Sequence, residues 1–289
     1  MPKRSSWHLD KARLDYAIGL GEEIVETLGI NSPPVDPFHV LESEGAKIRA
    51  FGDDFKDAFD GRLEYKDPIY ILFYNTKYNC WQHSGLQHPK VRFTISHELG
   101  HYFIEAHRNY LRKGGQPHCC ITDFVSDTLV EREADCFAAG LLMPKFLLCE
   151  IVNKSTANLS AIKNARKEFD VSLTSMMIRW TQLCDSPCAI LAVKGKTVQW
   201  GFTSEGFNNA GASFVRRGAV TSEAAIEFIS GEPTLKECRE GSGWGRTGYW
   251  LDIPKDNVDV HEDYVVMPST GTVLVFLTAR EEDLFGDLD

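Results

Sequence analysis

The sequence of 289 residues predicts an α+β fold in two parts. Amphipathic segments with apolar residues at helical spacing fill most of the first part, together with a few short runs of strand character. After Cys184 the character changes to paired apolar runs separated by turn residues, which is typical of antiparallel hairpins. We therefore expect a mainly helical domain with a small sheet at residues 1–185 and a smaller, β-rich domain at residues 186–289.

The helices and strands of the first part follow from periodicity and from turn residues. The apolar spacing of residues 9–28 predicts a helix that Gly29 ends, and a second short helix ends at Gly45. Asp67 and Pro68 form a turn between two strand-like runs. The predicted helices span residues 9–28, 38–44, 89–111 and 121–142, a further one begins at Pro144, and two lie within residues 159–183; the predicted strands span residues 46–51, 60–65 and 69–74.

The second part is predicted to contain two hairpins and one short helix. Gly195 and Lys196 stand between two strand-like runs, which is a hairpin signal. The predicted strands span residues 189–193, 197–202, 264–267 and 272–278, and the helix spans residues 224–229. No internal repeat is found in the sequence.

Charge argues against broad nucleic-acid binding. The formal net charge is −10, of which −3 lies in residues 1–185 and −7 in residues 186–289. Nucleic-acid affinity depends on Lys and Arg side chains that neutralise phosphates, so only a localised contact at small basic clusters is expected.

The cellular location expected from the sequence is the cytoplasm. The longest apolar runs, such as residues 69–74, are far shorter than the roughly 20 residues of a membrane-spanning helix. The first eight residues include two cations but no apolar core of a signal peptide. The eight cysteines have no regular spacing, which favours thiols in a reducing compartment over a disulfide framework.

One motif carries metal chemistry, the sequence His-Glu-Leu-Gly-His at residues 97–101. On a helix, His97 and His101 share a face, which allows both imidazoles to bind one zinc ion. Glu98 is placed to act as general base toward a metal-bound water, as in zinc peptidases. Neighbouring apolar residues form a stripe that would bury the back of this helix.

Two histidines leave a zinc site incomplete, and the third ligand is sought on the next helix. Glu131 and Asp135 share a helical face, so Glu131 is the expected ligand and Asp135 the acceptor that orients a ligand histidine. Glu133 is the fallback ligand. His107 stands where some zinc peptidases have a third histidine, but Ile104 replaces the glycine of that pattern. If the helix continues, His107 points away from His101, and a surface or supporting role is expected.

Cys119 and Cys120 lie in the segment between the two metal-binding helices. Because thiolate is a strong zinc ligand, either cysteine is a candidate for an inhibitory fourth ligand that holds the enzyme inactive. The alternative is that both are idle thiols. Replacing each with serine distinguishes the two, since unchanged basal activity in both variants would exclude the inhibitory ligand.

The motifs together resemble the ImmA/IrrE family of metallopeptidases. Residues 93–103 (FTISHELGHYF) are similar to its active-site helix, and residues 131–144 (EREADCFAAGLLMP) are similar to its second signature. Residues 33–40 and 168–180 resemble its opening connector and closing helices, so the resemblance covers about residues 10–185. The two-domain layout is also similar to that of CapP-type members of phage-defence operons.

This resemblance implies a zincin-like fold and a function. The implied activity is that of a cytoplasmic zinc endopeptidase that cleaves a helix-turn-helix repressor of the XRE type. Cleavage would derepress an operon after DNA damage, stress or phage attack, with residues 186–289 sensing a signal or binding the repressor. By the same resemblance, the expected effector is single-stranded DNA, for which the small basic clusters leave room, or a small molecule. The alternative is a non-catalytic regulator in which zinc only stabilises the fold, although a purely structural site has no need of Glu98.

Overall fold

A computed structural model describes residues 4–79, 87–116, 119–120, 128–230 and 237–286. It confirms the α+β class and forms two compact units. The first unit comprises residues 1–147 and 166–172, and the second comprises residues 148–165 and 173–289. Residues 145–172 are thus divided between the two units, residues 173–185 belong to the second unit, and the domain boundary near residue 186 stays a prediction.

The first unit contains five helices, a short 3₁₀ turn and four strands in its described residues. They are α1 (Arg4–Thr27), α2 (Pro37–Ser43), the 3₁₀ turn (Gly45–Lys47), β1 (Ile48–Asp53), β2 (Gly61–Lys66), β3 (Ile69–Asn75), α3 (Pro89–Phe103), α4 (Glu105–Arg112), β4 (Cys119–Cys120) and α5 (Leu129–Leu142). Two further helices, α6 (Lys145–Val152) and α7 (Leu159–Phe169), are divided between the units.

The small sheet of the first unit has the strand order β1-β3-β2-β4. β1 runs parallel to β3, whereas β2 runs antiparallel to both β3 and β4. Leu63 of β2 lies opposite Leu72 of β3, and both are buried against the helices. Side chains alternate between the two faces of a strand, so one face of this sheet supports α3.

Small residues bring the helices of the first unit close together. A Cβ atom on Gly100 of α3 would lie 3.1 Å from the Cα of Ala134 on α5. A Cβ on Gly140 of α5 would lie 2.1 Å from the carbonyl oxygen of Ile18 on α1. The backbones of α1, α3 and α5 therefore approach at positions where only very small side chains fit, and α5 lies next to both other helices.

The helix predicted at residues 89–111 is divided in two, which corrects that prediction. Ile104 adopts an extended conformation, with φ −69° and ψ 110°, between α3 and α4. The negative φ is accessible to any L-residue, so the break needs no glycine. The buried Ile104 side chain packs into the core. The chain direction changes between His101 and His107. The two side chains therefore do not point in the different directions that one continuous helix would give them.

The second unit is built on a six-stranded antiparallel sheet, whose strands neighbour one another in the order 218–219, 197–203, 188–194, 272–278, 259–267 and 240–246. Trp250, Phe207 and Tyr264 are buried in its core. Its elements are α8 (Leu173–Leu183), β5 (Cys188–Lys194), β6 (Thr197–Thr203), α9 (Glu205–Asn209), β7 (Phe214–Val215), β8 (Gly218–Ala219), α10 (Glu223–Ser230), β9 (Glu240–Arg246), α11 (Thr247–Trp250), β10 (Leu251–Asp252), β11 (Asp259–Met267), β12 (Thr272–Thr278) and α12 (Glu281–Phe285). Both predicted hairpins are present.

The described helices lack the features of bilayer-crossing helices, which are both long and apolar. In the part of the chain that the structure covers, none of them combines sufficient length with sufficient apolar character to span a membrane.

Candidate metal centre

Three side chains that the sequence singled out converge at one point of the first unit. His97 and His101 of α3 and Glu131 of α5 each offer a ligand atom, and these atoms all lie within 4.8 Å of one another. The Nε2 atoms of the two histidines are 3.2 Å apart. Oε2 of Glu131 lies 3.1 Å from Nε2 of His97, and Oε1 of the same carboxylate lies 3.6 Å from Nε2 of His101.

These separations fit a tetrahedral zinc ion. At Zn–N and Zn–O distances of about 2.0–2.2 Å, tetrahedral geometry places neighbouring ligand atoms about 3.3–3.5 Å apart. Two imidazole nitrogens and one carboxylate are also the donor set of several catalytic zinc sites, which leave one position for water or substrate. The donor chemistry and the spacing of the three side chains therefore both suit zinc.

The orientation of His97 is fixed by Asp135, one helical turn beyond Glu131 on α5. His97 donates its Nδ1–H to Oδ1 of Asp135 at 2.8 Å, because a carboxylate can only accept. The lone pair of this neutral tautomer is then on Nε2, which faces His101 and Glu131. Asp135 thus contacts His97, while its role in orienting a metal ligand stays a prediction.

Burial keeps the second histidine neutral. His101 is almost fully buried, and desolvation lowers its pKa to about 4, although the neighbouring Glu131 carboxylate acts to raise it. A neutral imidazole is the form that binds a metal ion. His101 is therefore ready for metal binding at neutral pH without first losing a proton.

Glu98 is completely buried under strand β2. A Cβ atom on Gly61 would lie 2.6 Å from Oε1 of Glu98 and 2.5 Å from Cγ2 of Thr94. Only glycine at residue 61 leaves room for this carboxylate beneath the strand. Gly61 is a site residue that sequence reasoning missed, because a glycine at the start of a strand reads as an ordinary turn signal.

The fallback ligand Glu133 is not part of the converging group. Its carboxylate accepts hydrogen bonds from Nε and Nη2 of Arg13 at 2.5 and 2.7 Å and from Nε2 of His107 at 2.8 Å. His107 is buried, and its Nδ1 lies 3.1 Å from Nδ1 of His101, on the side away from Glu131. The structure thus places His107 and Glu133 behind His101.

The side chains of Cys119 and Cys120 lie outside the described part of the structure. Their backbone forms β4, in which Cys120 pairs with Gly61 and Cys119 with Arg62. The inhibitory fourth ligand concerns the side chains and stays a prediction.

The family model of the IrrE N-terminal-like domain, which belongs to peptidase family M78, matches residues 55–181. The match spans α3 and α5 and so includes every residue of the converging group. Residues 55–181 are an IrrE N-terminal-like domain. The resemblance to the ImmA/IrrE family is confirmed for this range, while residues 10–54 lie outside the match.

A solved structure of a Mycobacterium tuberculosis transcriptional regulator is similar to the whole chain, with a TM-score of 0.54. The two sequences are 11% identical, and the similarity covers 94% of this chain and 92% of the other. At this identity the likeness shows a similar fold and no more. The region of similar fold extends beyond residues 55–181 into the C-terminal part of the chain. The search of curated proteins finds no match.

The hydrogen bond from His97 to Asp135 gives a first testable prediction for the IrrE-like domain. Replacing Asp135 with asparagine is expected to weaken zinc binding about 10–100-fold, because the charged acceptor that orients His97 is lost. The zinc dissociation constant, measured by competition with a chromophoric chelator, checks it. Asp15→Asn, at an exposed aspartate of α1, is the control. Equal constants for Asp135→Asn and the wild type would contradict the prediction.

Proposed function

We propose that this chain is a zinc-dependent endopeptidase that cleaves a helix-turn-helix repressor of the XRE type in the cytoplasm. The observation that carries the proposal is the convergence of His97, His101 and Glu131 within 4.8 Å beside the buried Glu98. A bound zinc ion would act as a Lewis acid toward the scissile carbonyl and would bring the pKa of a coordinated water near 7.

Glu98 performs the proton transfers of the proposed reaction. Its carboxylate takes the proton from the attacking water and delivers that proton to the nitrogen of the leaving amine. The buried position under Gly61 keeps this carboxylate in a fixed place and away from bulk water. A site that serves stability alone has no use for an acid–base residue one position from a ligand.

The substrate assignment rests on the family. The IrrE-like domain belongs to a peptidase family, and the resemblance implies a repressor whose loss derepresses a stress, DNA-damage or phage-defence operon. In this proposal residues 186–289 receive the activating signal, with single-stranded DNA or a small molecule as effector, or hold the repressor.

Cleavage of a purified repressor tests the proposal. The full chain is incubated with the XRE-type repressor encoded beside its gene, and the products are identified by intact-mass spectrometry in the presence and absence of single-stranded DNA. We expect two repressor fragments, loss of cleavage on zinc chelation and recovery when zinc is restored. A repressor that binds the zinc-loaded chain and stays whole under every condition would favour the non-catalytic regulator instead.

A further inference from the structure

Behind His101, a row of buried side chains leads from the proposed metal site to helix α1. Nδ1 of His101 lies 3.1 Å from Nδ1 of His107, and Nε2 of His107 lies 2.8 Å from Oε2 of Glu133. Arg13 of α1 completes the row with two hydrogen bonds to the Glu133 carboxylate. The side chains of His107 and Glu133 are only 3% and 5% exposed, so solvent does not compete for the contacts among His101, His107 and Glu133, whereas Arg13 at the end of the row is half exposed.

When both histidine rings are neutral, the donors and acceptors of the row fit one direction of hydrogen bonding throughout. Arg13 can only donate, and the Glu133 carboxylate that it holds can only accept. His107 must therefore donate from Nε2, which leaves the lone pair of its neutral ring on Nδ1. His101 must then donate its Nδ1–H to that lone pair, and its own lone pair is on Nε2. This nitrogen is the one that faces His97 and Glu131.

Four helices must meet for this arrangement to exist, beginning with α3, which carries His101. The extended conformation of Ile104 turns α4 so that His107 reaches the back of His101. Glu133 comes from α5, and Arg13 comes from α1, which packs on α5 at Gly140. The two ligand histidines are thus held by different means, His97 directly by Asp135 and His101 by His107 with Glu133 and Arg13 behind it.

We propose that His107, held by Glu133 and Arg13, is a positioning residue that keeps His101 in its metal-binding tautomer and orientation. The proposal rests on the metal site of the proposed function. It assigns His107 no contact with metal or substrate, since its effect reaches the site through His101. It also gives Glu133 a role different from that of the fallback ligand.

The test is the zinc affinity of full-length variants, measured by competition with a chromophoric chelator. His107→Phe keeps a ring but removes the acceptor, and we expect zinc binding to weaken about 10–100-fold. His107→Asn returns an acceptor close to the position of Nδ1 and is expected to recover much of the affinity. The visible spectrum of the cobalt-substituted protein should change in His107→Phe and return toward that of the wild type in His107→Asn. A loss caused by packing alone would not be rescued by the smaller asparagine.

A second pair of variants keeps the test decisive if His107→Phe fails to fold. Arg13→Gln alters a half-exposed side chain at the far end of the row and should weaken zinc binding less than His107→Phe, in the same direction. Lys11→Gln, at an exposed position of the same helix, is the control with unchanged affinity. Wild-type zinc affinity in a folded His107→Phe would overturn the proposal. If His107→Phe does not fold, wild-type zinc affinity in Arg13→Gln would overturn it.

The outcome for the positioning role is separate from that for the peptidase. If the wild-type chain binds zinc and His107→Phe binds it equally well, only the role of His107 is wrong. If His107→Phe binds zinc more weakly but the zinc-loaded wild type cleaves no repressor, the positioning role stands and the peptidase proposal fails. A wild-type chain that binds neither zinc nor cobalt overturns both.

Discussion

Replacing Glu98 with glutamine is expected to lower the rate of repressor cleavage about 10²–10⁴-fold while zinc remains bound. Glutamine has the shape of glutamate and fits under Gly61, but its amide cannot accept the proton of the attacking water. His97, His101 and Glu131 are unchanged in this variant. The rate is measured with the zinc-loaded protein, and the zinc content is measured on the same sample by elemental analysis.

Glu105→Gln is the matched control for this experiment. Glu105 is an exposed glutamate of α4 that takes no part in the converging group, so its replacement should change neither rate nor zinc content. An unchanged rate in Glu98→Gln would show that Glu98 is not the general base. Loss of zinc together with activity would mean that Glu98 supports the metal site itself.

The second large effect is expected on stability. Replacing Gly140 with alanine should lower the free energy of unfolding by about 3 kcal/mol or more, because the new methyl group would lie 2.1 Å from the carbonyl oxygen of Ile18. The obstacle is backbone, so α1 and α5 must separate along their contact. Chemical denaturation of the full chain, followed by circular dichroism, measures the change.

Gly19→Ala, on α1 of the same helix pair, is expected to change the free energy of unfolding in the opposite direction. Among the residues that the structure describes, no atom outside the helix lies within 4 Å of a Cβ built at Gly19, so alanine should raise stability by about 0.5–1 kcal/mol through its higher helix propensity. Gly21→Ala should resemble Gly140→Ala, since its Cβ would lie 2.4 Å from the carbonyl oxygen of Phe137. Equal stabilities for Gly19→Ala and Gly140→Ala would contradict the close approach of α1 and α5.

The sequence predicts the converging group well because its information is local. His97 and His101 are four residues apart on one helix, and Glu131 and Asp135 repeat that spacing on another. The side on which each residue lies follows from helical geometry alone. What brings the two helices together is the small pair Gly100 and Ala134, whose importance becomes visible only when α3 and α5 are packed.

The position of His107 depends on information that the local sequence does not contain. The segment around Ile104 has neither glycine nor proline, and its apolar spacing continues that of α3, so the residues favour one long helix. The break is stabilised by tertiary contacts, namely the burial of Ile104 and the hydrogen bonds of His107 to His101 and Glu133. Glu133 itself is 26 residues further along the chain.

Strand β9 of the second unit could not be predicted from the sequence for a different reason. Its sequence, Glu-Gly-Ser-Gly-Trp-Gly-Arg, lacks the alternation of apolar residues that predicts a strand. The glycines face α10, where a Cβ on Gly241 would lie 2.5 Å from the ring of Phe228 and one on Gly243 would lie 2.7 Å from Ala224. Close packing against α10 requires that β9 carry no side chains at these positions. Because those side chains are absent, the sequence of β9 also lacks a hydrophobic pattern.

A single residue, Ile104, separates α3 from α4. The number of residues in this connection therefore matters as much for the position of His107 as the residue types do. Each residue added within a helix turns the following side chains by about 100°. One insertion between His101 and His107 would therefore direct the second imidazole away from the first, even if every existing side chain were kept. Surface connections usually tolerate insertions and deletions. Between α3 and α4, however, the number of residues must stay unchanged for His107 to reach His101.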